Sequence, residues 1–410
     1  MKKLLMLAAA AALLGACSEK KPLTVSVENP LPIDRTGEMV EIPMSTVAER
    51  LNLPDTALVV VYDSEGNPVP SQTTHDELLI FPATVPAGGT ATYTIQIGTP
   101  QQVETLAEGH CYPRRMDDLA WENDLVGFRA YGPGLQAAGE HGYGYDLFAK
   151  RGTSAPVLEA MYASELDEPT WEKIRALRTT DRKAADELQR SITYHVDHGY
   201  GMDCYAVGAT LGAGTAALMA DDAIVYPWCY DACEILDNGP LRFSARLVFK
   251  PFEVQGDTGV VETRVITLDA GSHLNRTTVS YANLGHAMPV VTGIVLHDTL
   301  SASVTANAAD GYIAYIDPTT GADNGKLFIG AAFPAPVQEA KAVRFGNAEK
   351  KQRNNAEGHV LAVSQYEPGA EYVYYWGFGW DRADIKDAQA WEGYLKDFAQ
   401  KVRNPLRVSY

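Results

Sequence analysis

One glycine-rich segment concentrates the residue types that carry out acid–base chemistry. Residues 194–214 read YHVDHGYGMDCYAVGATLGAG, so histidine, aspartate, cysteine and tyrosine are interleaved with glycine. Glycine permits positive φ angles and close backbone approach, and such a run can direct polar side chains into a cleft. A plain core strand would exclude these groups. The segment therefore predicts a functional site, and its candidate catalytic residues are His195, His198, Asp203 and Tyr205.

The spacing of these residues leaves several kinds of site open. If the segment is a strand, His195, Asp197, Asp203 and Tyr205 share one face, and His198 joins them only through a bulge. General acid–base catalysis by one histidine with a tyrosine is one interpretation. A divalent metal held by His195, Asp197, His198 and Asp203 is another, although no cofactor is our expectation. Substrate hydrogen bonding without catalysis, or a buried structural polar cluster, would account for the same residues.

Two other stretches carry polar residues at spacings that could contribute to a site. Arg129 and Tyr131 lie two residues apart and share one face of a predicted strand, where a salt-bridged strand edge is the alternative. His141 and Tyr143 belong to EHGYGYDLF, a glycine-rich stretch that fits either a cleft mouth or a plain surface loop. Arg242 begins a cleanly alternating strand and either binds a ligand or faces outward.

The elements that must position these residues are mostly strands. Short alternating runs separated by turn signals predict a small β-sandwich over residues 25–100. Residues 101–410 continue with many antiparallel strands and no alternation of strands with helices, which predicts a large two-sheet domain. Helical spacing occurs over residues 155–192 and again in a C-terminal stripe that includes Trp391 and Leu395. The fold expected is mostly β with a few helices.

The N-terminus has the pattern of an export signal. Two lysines precede an apolar stretch, and residues 1–16 are too short for a membrane span. Leu-Gly-Ala-Cys resembles a bacterial lipobox, so Cys17 is expected to be lipidated and residues 17–24 to form a tether. The chain would then be exported and held at the outer membrane by its lipid anchor alone.

The charge and the cysteines exclude some classes of protein. A formal net charge of −18 argues against a nucleic-acid partner, which requires a clustered basic face. The remaining cysteines are scattered and lack the paired spacing of a zinc site. Cys229 and Cys233 could pair in a loop, but free or structural cysteines are the expectation.

Several stretches carry a resemblance to known proteins. VETRVITLDAGSHLNRTTVSYANLG resembles the paired central strands of the galactose-mutarotase-like supersandwich, a fold shared by sugar epimerases, glycoside hydrolases and polysaccharide lyases. The 194–214 segment and ILDNGPLR, together with the lipobox, resemble an exported Bacteroidota family known mainly as a domain of unknown function and found among polysaccharide-degradation genes. The resemblance spans roughly residues 25–405. It implies a carbohydrate ligand and specifies no reaction.

With a glycan as the expected partner, the polar clusters acquire roles. Trp121 could stack on a sugar ring, with Glu122, Tyr131 and Tyr143 as further substrate contacts. Arg129 or Arg242 could bind a uronate carboxylate.

The leading hypothesis is an enzyme that cleaves a uronic-acid-containing glycan by β-elimination. His195 or His198 would be the base and Tyr205 or Tyr143 the acid, with His141 as a further candidate.

Two other functions account for the same residues. A glycoside hydrolase would use two carboxylates drawn from Glu122, Asp124, Asp146, Asp197 and Asp203. A glycan-binding lipoprotein would have an aromatic platform and no turnover.

Overall fold

The computed structural model describes residues 21–54, 57–152 and 156–410. The expected signal peptide and the lipidation site at Cys17 lie outside the described residues. The described chain is mostly antiparallel β-structure, as the sequence predicts. Among the described residues, no helix is both long enough and apolar enough to span a bilayer.

The N-terminal part folds into two small sheets around a core of its own. Its elements are the strands β1 (Leu23–Glu28), β2 (Arg35–Pro43), β3 (Val59–Tyr62), β4 (Pro68–Val69), β5 (Gln72–Thr73), β6 (Leu78–Val85) and β7 (Thr90–Ile97), and the helix α1 (Met44–Leu51). In β1 the alternate residues Leu23, Val25 and Val27 are buried, as expected of a strand with one face on a core. The helix α1 is not predicted by the sequence analysis. It buries Val47 and Leu51, which are one helical turn apart.

A middle sheet carries most of the polar residues of interest. It contains β8 (Ala107–Tyr112), β9 (Asp118–Asn123), β10 (Gly127–Ala130), β11 (Asp146–Lys150) and β12 (Gly201–Met202), in the order β12-β11-β10-β9-β8. Helices α2 (Pro133–Ala137), α3 (Leu158–Glu165), α4 (Glu168–Leu177) and α5 (Arg182–Ile192) belong to the same region. Trp121 and Phe128 pack into the large core, whereas Ala120 and Phe148 form a second cluster with Tyr162 of α3. Arg129 pairs with Ala120 and Asp146 across neighbouring strands, so its side chain lies on the face that the helices cover.

Two larger sheets complete the fold. One has the order β14-β13-β20-β25-β24, and the other is nine-stranded with the path β15-β16-β18-β19-β26-β23-β22-β21 and β17 paired to β18. Their strands are β13 (Ala213–Ala220), β14 (Ala223–Val225), β15 (Ala232–Asn238), β16 (Arg242–Val248), β17 (Phe252–Val254), β18 (Asp257–Asp269), β19 (Leu274–Ala282), β20 (Met288–Leu296), β21 (Val304–Asn307), β22 (Tyr312–Asp317), β23 (Leu327–Ala332), β24 (Glu339–Arg344), β25 (Gly358–Tyr366) and β26 (Tyr372–Trp380). A short helix, α6 (Asn347–Gln352), precedes β25. One apolar core contains residues of both sheets and of the middle sheet.

Two C-terminal elements, a helix and a strand, pack against earlier parts of the chain. Helix α7 (Ala388–Arg403) buries Trp391, Leu395 and Ala399 against β22 and β23, as its apolar stripe predicts. The last strand, β27 (Arg407–Ser409), then pairs with β1 in the N-terminal sheet. The two ends of the described chain therefore lie side by side.

The cysteines take positions that the spacing did not predict. Cys233 does not pair with Cys229. Its sulfur lies 3.7 Å from that of Cys111, on the neighbouring strand β8. The four cysteines of the described chain are free thiols.

Candidate functional site

The glycine-rich segment is a loop rather than the strand that parity analysis predicts. Gly201 and Met202 pair with β11 and Ala213 and Gly214 begin β13, whereas residues 194–200 form turns and bends. Gly199 and Gly201 have φ angles of 102° and 129°, which break the regular alternation of faces. The loop closes on itself where the Asp203 amide donates to the Tyr194 carbonyl at 2.8 Å. Its polar side chains therefore separate into different environments.

His195 and Asp203 form the histidine–carboxylate pair of this loop. The His195 Nδ1 atom lies 3.5 Å from Asp203 Oδ2 and 3.2 Å from the Asp203 carbonyl oxygen. The His195 side chain is 56% exposed, whereas Asp203 is 2% exposed. Nε2 of His195 makes no hydrogen bond within the described chain. A buried carboxylate thus orients an imidazole whose second nitrogen faces solvent, which is the arrangement of a general base.

Asp203 is itself held by a buried network centred on Arg129. The Arg129 guanidinium donates to Asp203 Oδ2 at 2.8 Å and, through Nε, to Asp146 Oδ2 at 2.9 Å. Tyr131 donates to the same Asp146 oxygen at 2.6 Å, and the Tyr194 hydroxyl accepts from Arg129 at 3.1 Å. Arg129 is 4% exposed. It therefore neutralises the protein's own carboxylates and is not available as the substrate clamp that the sequence suggests.

Burial sets the protonation of this network. It raises the pKa of Asp203 to about 6, with the charge of Asp146 adding to the effect and Arg129 opposing it. Burial likewise raises the pKa of Asp118 to about 6, although Arg129 lies 3.7 Å away. For Arg129, burial disfavours the charged form, but the Asp146 and Asp203 carboxylates together with neighbouring tyrosines outweigh burial and hold the pKa well above its ordinary range. One arginine thus serves three buried aspartates.

A second histidine–aspartate pair lies on the other side of Tyr205. His297 follows β20, Asp317 ends β22, and the His297 Nδ1 atom lies 2.6 Å from Asp317 Oδ2. The rings of Tyr205 and His297 are 5.6 Å apart at their centroids. His297 is 22% exposed, and its Nε2 atom makes no hydrogen bond within the described residues. Both pairs therefore hold the imidazole at Nδ1 and leave Nε2 free.

The Tyr205 hydroxyl, a candidate acid in the sequence analysis, is buried beside His297. Tyr205 is 5% exposed, and its hydroxyl is buried without a hydrogen-bond partner in the described chain. Burial raises the pKa of Tyr205 well above its ordinary value, and the Asp317 and Asp146 carboxylates raise it further. The phenol stays protonated, but no surface of the hydroxyl is open to a substrate.

A loop after β22 contacts both pairs, and Arg382, which follows β26, lies against this loop. The Thr320 amide donates to the Cys204 carbonyl at 2.9 Å, and the Thr319 amide donates to Asp317 Oδ1 at 2.8 Å. The exposed Arg382 guanidinium donates to the carbonyl of Asp323 in this loop and lies close enough to Cys204 to oppose the rise in its pKa, which burial causes. Arg382 has no ion-pair partner among the described residues, so its charge is available to a ligand. We refer to His195, Asp203, His297, Asp317 and Arg382 as the two-histidine site.

The remaining members of the loop do not converge as metal ligands. Asp197 accepts from Arg151 at 2.7 Å and from the Gly199 amide at 2.8 Å. His198 Nε2 lies 3.1 Å from the Thr193 carbonyl oxygen. Within the described ranges, no group of three or more histidine, cysteine, aspartate or glutamate side chains has the arrangement of a metal site. The alternative metal site at His195, Asp197, His198 and Asp203 therefore has no geometric support.

Three predicted substrate contacts are structural instead. Trp121 is fully buried, stacks on Phe243 and donates to Asn275 at 2.8 Å, so neither ring face is open to a sugar. Glu122 is buried in an ion pair with Lys150. Arg242 donates to Asp269 at 2.6 and 2.9 Å and forms an ion pair with Glu41. Buried charges must be paired or they destabilise the fold, and these pairs satisfy that requirement.

His141 and Tyr143 lie apart from the two-histidine site, in an aromatic group on the other side of Tyr131. The ring of Trp228 lies 5.1 Å from that of His141 and 6.2 Å from that of Tyr143. Tyr143 also contacts Tyr226, at 5.5 Å. The Tyr143 hydroxyl lies 3.0 Å from His141 Nδ1. The glycine-rich loop thus presents these two residues at the surface, but to Trp228 and not to His195.

Comparison with known proteins places the chain in a family. A family model described as "Domain of unknown function (DUF4861)" matches residues 27–408. The chain belongs to the DUF4861 family. An uncharacterized protein, P7, of Formosa agariphila is 26% identical over the full length of both chains. Membership of the DUF4861 family confirms the resemblance on which the sequence analysis relied.

Two solved structures are similar to this DUF4861 protein. A glycosyl hydrolase family 38 protein of Enterococcus faecalis matches 95% of the chain with a TM-score of 0.50 and 8% sequence identity. An α-mannosidase from the same species matches with a TM-score of 0.45 and 8% identity. The chain spans 47% and 45% of the length of these proteins. At this level of identity the first match indicates a shared β-rich fold and carries no activity across.

His297, Asp317 and Arg382 are the members of the site that the sequence analysis does not predict. The sequence carries one indication of His297 and Asp317. GIVLHD, at the end of β20, and GYIAYID, at the end of β22, both end in aspartate. These strands belong to different sheets, so only the fold brings their ends together.

Proposed function

We propose that this protein is a carbohydrate-active enzyme that uses the two-histidine site for acid–base catalysis on a glycan. The observation that carries the proposal is that the Nδ1 atom of each imidazole lies beside a buried carboxylate, at 3.5 Å for His195 and 2.6 Å for His297, and that each Nε2 atom is free. A carboxylate in that position fixes the tautomer and orientation of a histidine, which is how catalytic bases are commonly prepared. The fold shared with a glycosyl hydrolase family 38 protein is consistent with a carbohydrate substrate.

The substrate class that suits the site is a uronic-acid-containing polysaccharide or oligosaccharide. Arg382 offers an exposed guanidinium without an ion-pair partner in the described chain, beside the segment that carries Asp203 and Tyr205. Guanidinium binds a carboxylate in a bidentate fashion. Neutralising that carboxylate makes the proton on the adjacent carbon more acidic, which is the requirement for elimination. Arg382 thus takes the clamping role that Arg129 and Arg242 cannot perform.

The proposed reaction is a β-elimination. His195 Nε2 removes the proton on the carbon α to the uronate carboxylate, and the electron pair forms a carbon–carbon double bond. The glycosidic bond on the neighbouring carbon breaks, and the leaving oxygen takes a proton from His297. One proton is removed and one is delivered, so the reaction consumes no water and needs no redox partner.

A glycoside hydrolase is the second candidate, and one observation favours it. Burial raises the pKa of Asp203 to about 6, which is the range in which a carboxylic acid can donate a proton near neutral pH. Asp317 would be the partner carboxylate, with water as the attacking group. This candidate yields a saturated product, whereas elimination yields an unsaturated one.

The experiment is a screen of the purified protein against uronate-containing polysaccharides and oligosaccharides. Reducing ends and ultraviolet absorbance are measured in the same reactions. Elimination raises both signals together, because each cleavage creates one reducing end and one double bond. Reducing ends without absorbance would replace the lyase by the hydrolase, and neither signal on any uronate substrate would contradict the proposed activity.

The compartment is a separate proposal. We infer that residues 1–16 direct export, that Cys17 is acylated, and that the lipid alone holds the protein at the outer membrane. Expression in a bacterium with radiolabelled palmitate should label the wild type and not Cys17→Ser. Equal labelling of the two proteins would contradict the anchor.

A further inference from the structure

We propose that the cavity beside Trp228 is a second carbohydrate-binding site, which takes a neutral sugar unit rather than a uronate. The inference rests on the proposed carbohydrate function and concerns a surface outside the two-histidine site. The cavity has a volume of about 570 Å³ including its open mouth, and Gln136, Tyr226, Trp228, Lys250, Glu253 and Glu262 are among the residues that line it.

Trp228 has the exposure that a stacking platform needs. It is 39% exposed, whereas Trp121, Trp376, Trp380 and Trp391 are each at most 1% exposed. An indole ring at the surface costs hydrophobic free energy unless a partner covers it, and the C–H face of a pyranose ring is such a partner. The side chain is held in place rather than free, because the rings of His141 and Tyr143 support it at 5.1 and 6.2 Å.

The polar atoms of the cavity match hydroxyl groups. Gln136 Oε1 is buried and has no hydrogen-bond partner within the described residues. A buried acceptor left unpaired carries a desolvation cost that a ligand hydroxyl would relieve. Glu253 is exposed at the cavity without an ion-pair partner in the described chain, and its carboxylate can accept from two neighbouring hydroxyls.

The charge of the cavity selects against a uronate. Glu253 contributes an unpaired carboxylate, whereas Arg264 neutralises Glu262 and Lys250 lies 3.6 Å from Asp231. A ligand carboxylate would therefore meet like charge, whereas an uncharged sugar would not. The two-histidine site has the opposite character because Arg382 is unpaired there among the described residues.

The test is isothermal titration calorimetry with defined oligosaccharides. Xylohexaose, mannohexaose and laminarihexaose are the neutral probes, and trigalacturonate and an alginate trimer are the charged ones. We expect binding of at least one neutral probe, weakened at least about tenfold in Trp228→Ala. Glu253→Gln, which keeps the side-chain shape, should weaken the same probe by a smaller factor. Trp171→Ala is the matched control, because Trp171 lies in α4 and does not line the cavity.

Each outcome is decisive. No neutral probe bound by the wild type, or affinity for the bound probe unchanged in both Trp228→Ala and Glu253→Gln, would overturn the site. Binding of a charged probe that is lost in Trp228→Ala would overturn its selectivity. Turnover in the His195→Gln variant is measured in parallel. If that variant keeps full activity while Trp228→Ala loses binding, the acid–base assignment fails and the sugar site stands.

Discussion

The Nδ1 atom of His195 lies 3.5 Å from Oδ2 of Asp203, and that same carboxylate oxygen accepts from Arg129 at 2.8 Å. An exposed imidazole is therefore connected through one buried carboxylate to the centre of the fold. The contact holds the Nδ1 side of the His195 imidazole in place and leaves the Nε2 side free. Because Asp203 contacts both His195 and Arg129, substitutions at Asp203 affect both the proposed chemistry and the stability of the protein.

Asp203→Asn should lower turnover while leaving the fold intact. An amide at this position removes the negative charge beside the His195 imidazole while the backbone carbonyl still accepts from Nδ1, so the imidazolium formed on proton abstraction is less stabilised and Nε2 is a poorer base. We expect kcat to fall by about ten- to a thousandfold with little change in KM. Asp197→Asn, in the same loop but paired with Arg151, is the matched control and should retain activity. Equal losses in the two variants would contradict the role of Asp203.

Arg129→Met should destabilise the protein strongly. It leaves the Asp118, Asp146 and Asp203 carboxylates buried without their shared cation. We expect a loss of about 3–5 kcal/mol in the free energy of unfolding, measured by urea denaturation. The exposed Arg175, which pairs with Glu168, gives the control Arg175→Met, expected to cost less than about 1 kcal/mol. Similar costs for the two substitutions would contradict the buried network.

The raised pKa of Asp118 predicts how stability depends on pH. Its value of about 6 in the folded state exceeds the ordinary 3.8, so between these values the folded protein binds more protons than the unfolded chain. The contribution of Asp118 is fully present below pH 4 and is lost as pH rises through 6. The loss amounts to about 3 kcal/mol at most.

Asp118→Asn should therefore reduce the fall in the free energy of unfolding that the wild type shows between pH 4 and pH 7. Asp197 supplies a comparison of opposite sign. Burial opposes its ionisation, but the charge and hydrogen bond of Arg151 together with the Gly199 and Gly201 amides outweigh burial and lower its pKa. Asp197→Asn should remove stability that the wild type gains as pH rises. Parallel curves for wild type and Asp118→Asn would show that Asp118 does not titrate in this range.

Arg382→Gln should weaken uronate binding specifically. Removing the guanidinium takes away the charge that receives the substrate carboxylate. We expect KM for a uronate substrate to rise about ten- to a hundredfold, and affinity for a neutral oligosaccharide at the Trp228 cavity to stay unchanged. Arg407→Gln, at the exposed pair with Glu28, is the control. A KM that Arg382→Gln leaves unchanged would contradict the proposed role of Arg382 in binding the uronate carboxylate.

The sequence predicts elements whose pattern is local. Alternating burial in β1 and the apolar stripe of α7 are both visible in the residues themselves, and so is the mostly β character of the chain. The sequence pattern does not predict helix α1, because its eight residues bury only two side chains, which is too few to give a clear helical period of apolar residues. The loop at 194–200 was misread as a strand because its glycines were expected to bend a strand and instead replace it with turns.

The site was predicted where its residues are neighbours in sequence. His195 and Asp203 belong to one loop and were grouped as candidates, and the structure places His195 Nδ1 3.5 Å from Asp203 Oδ2. The buried role of Arg129 depends on Asp146 and Asp203, which lie 17 and 74 residues away along the chain. The spacing of residues in a sequence does not predict side-chain contacts over such separations. The same holds for Trp121, whose burial follows from packing against Phe243 on another sheet.

The most direct test of the central claim compares His195→Gln with His198→Gln on a uronate oligosaccharide that the wild type cleaves. Both histidines are exposed and belong to one loop, but only His195 contacts Asp203. The measured quantity is the initial rate of absorbance increase from the unsaturated product. We expect His195→Gln to reduce this rate about a hundred- to ten-thousandfold and His198→Gln to leave it within about threefold of the wild type. A full rate in His195→Gln, or equal losses in the two variants, would contradict the assignment of His195 as the base.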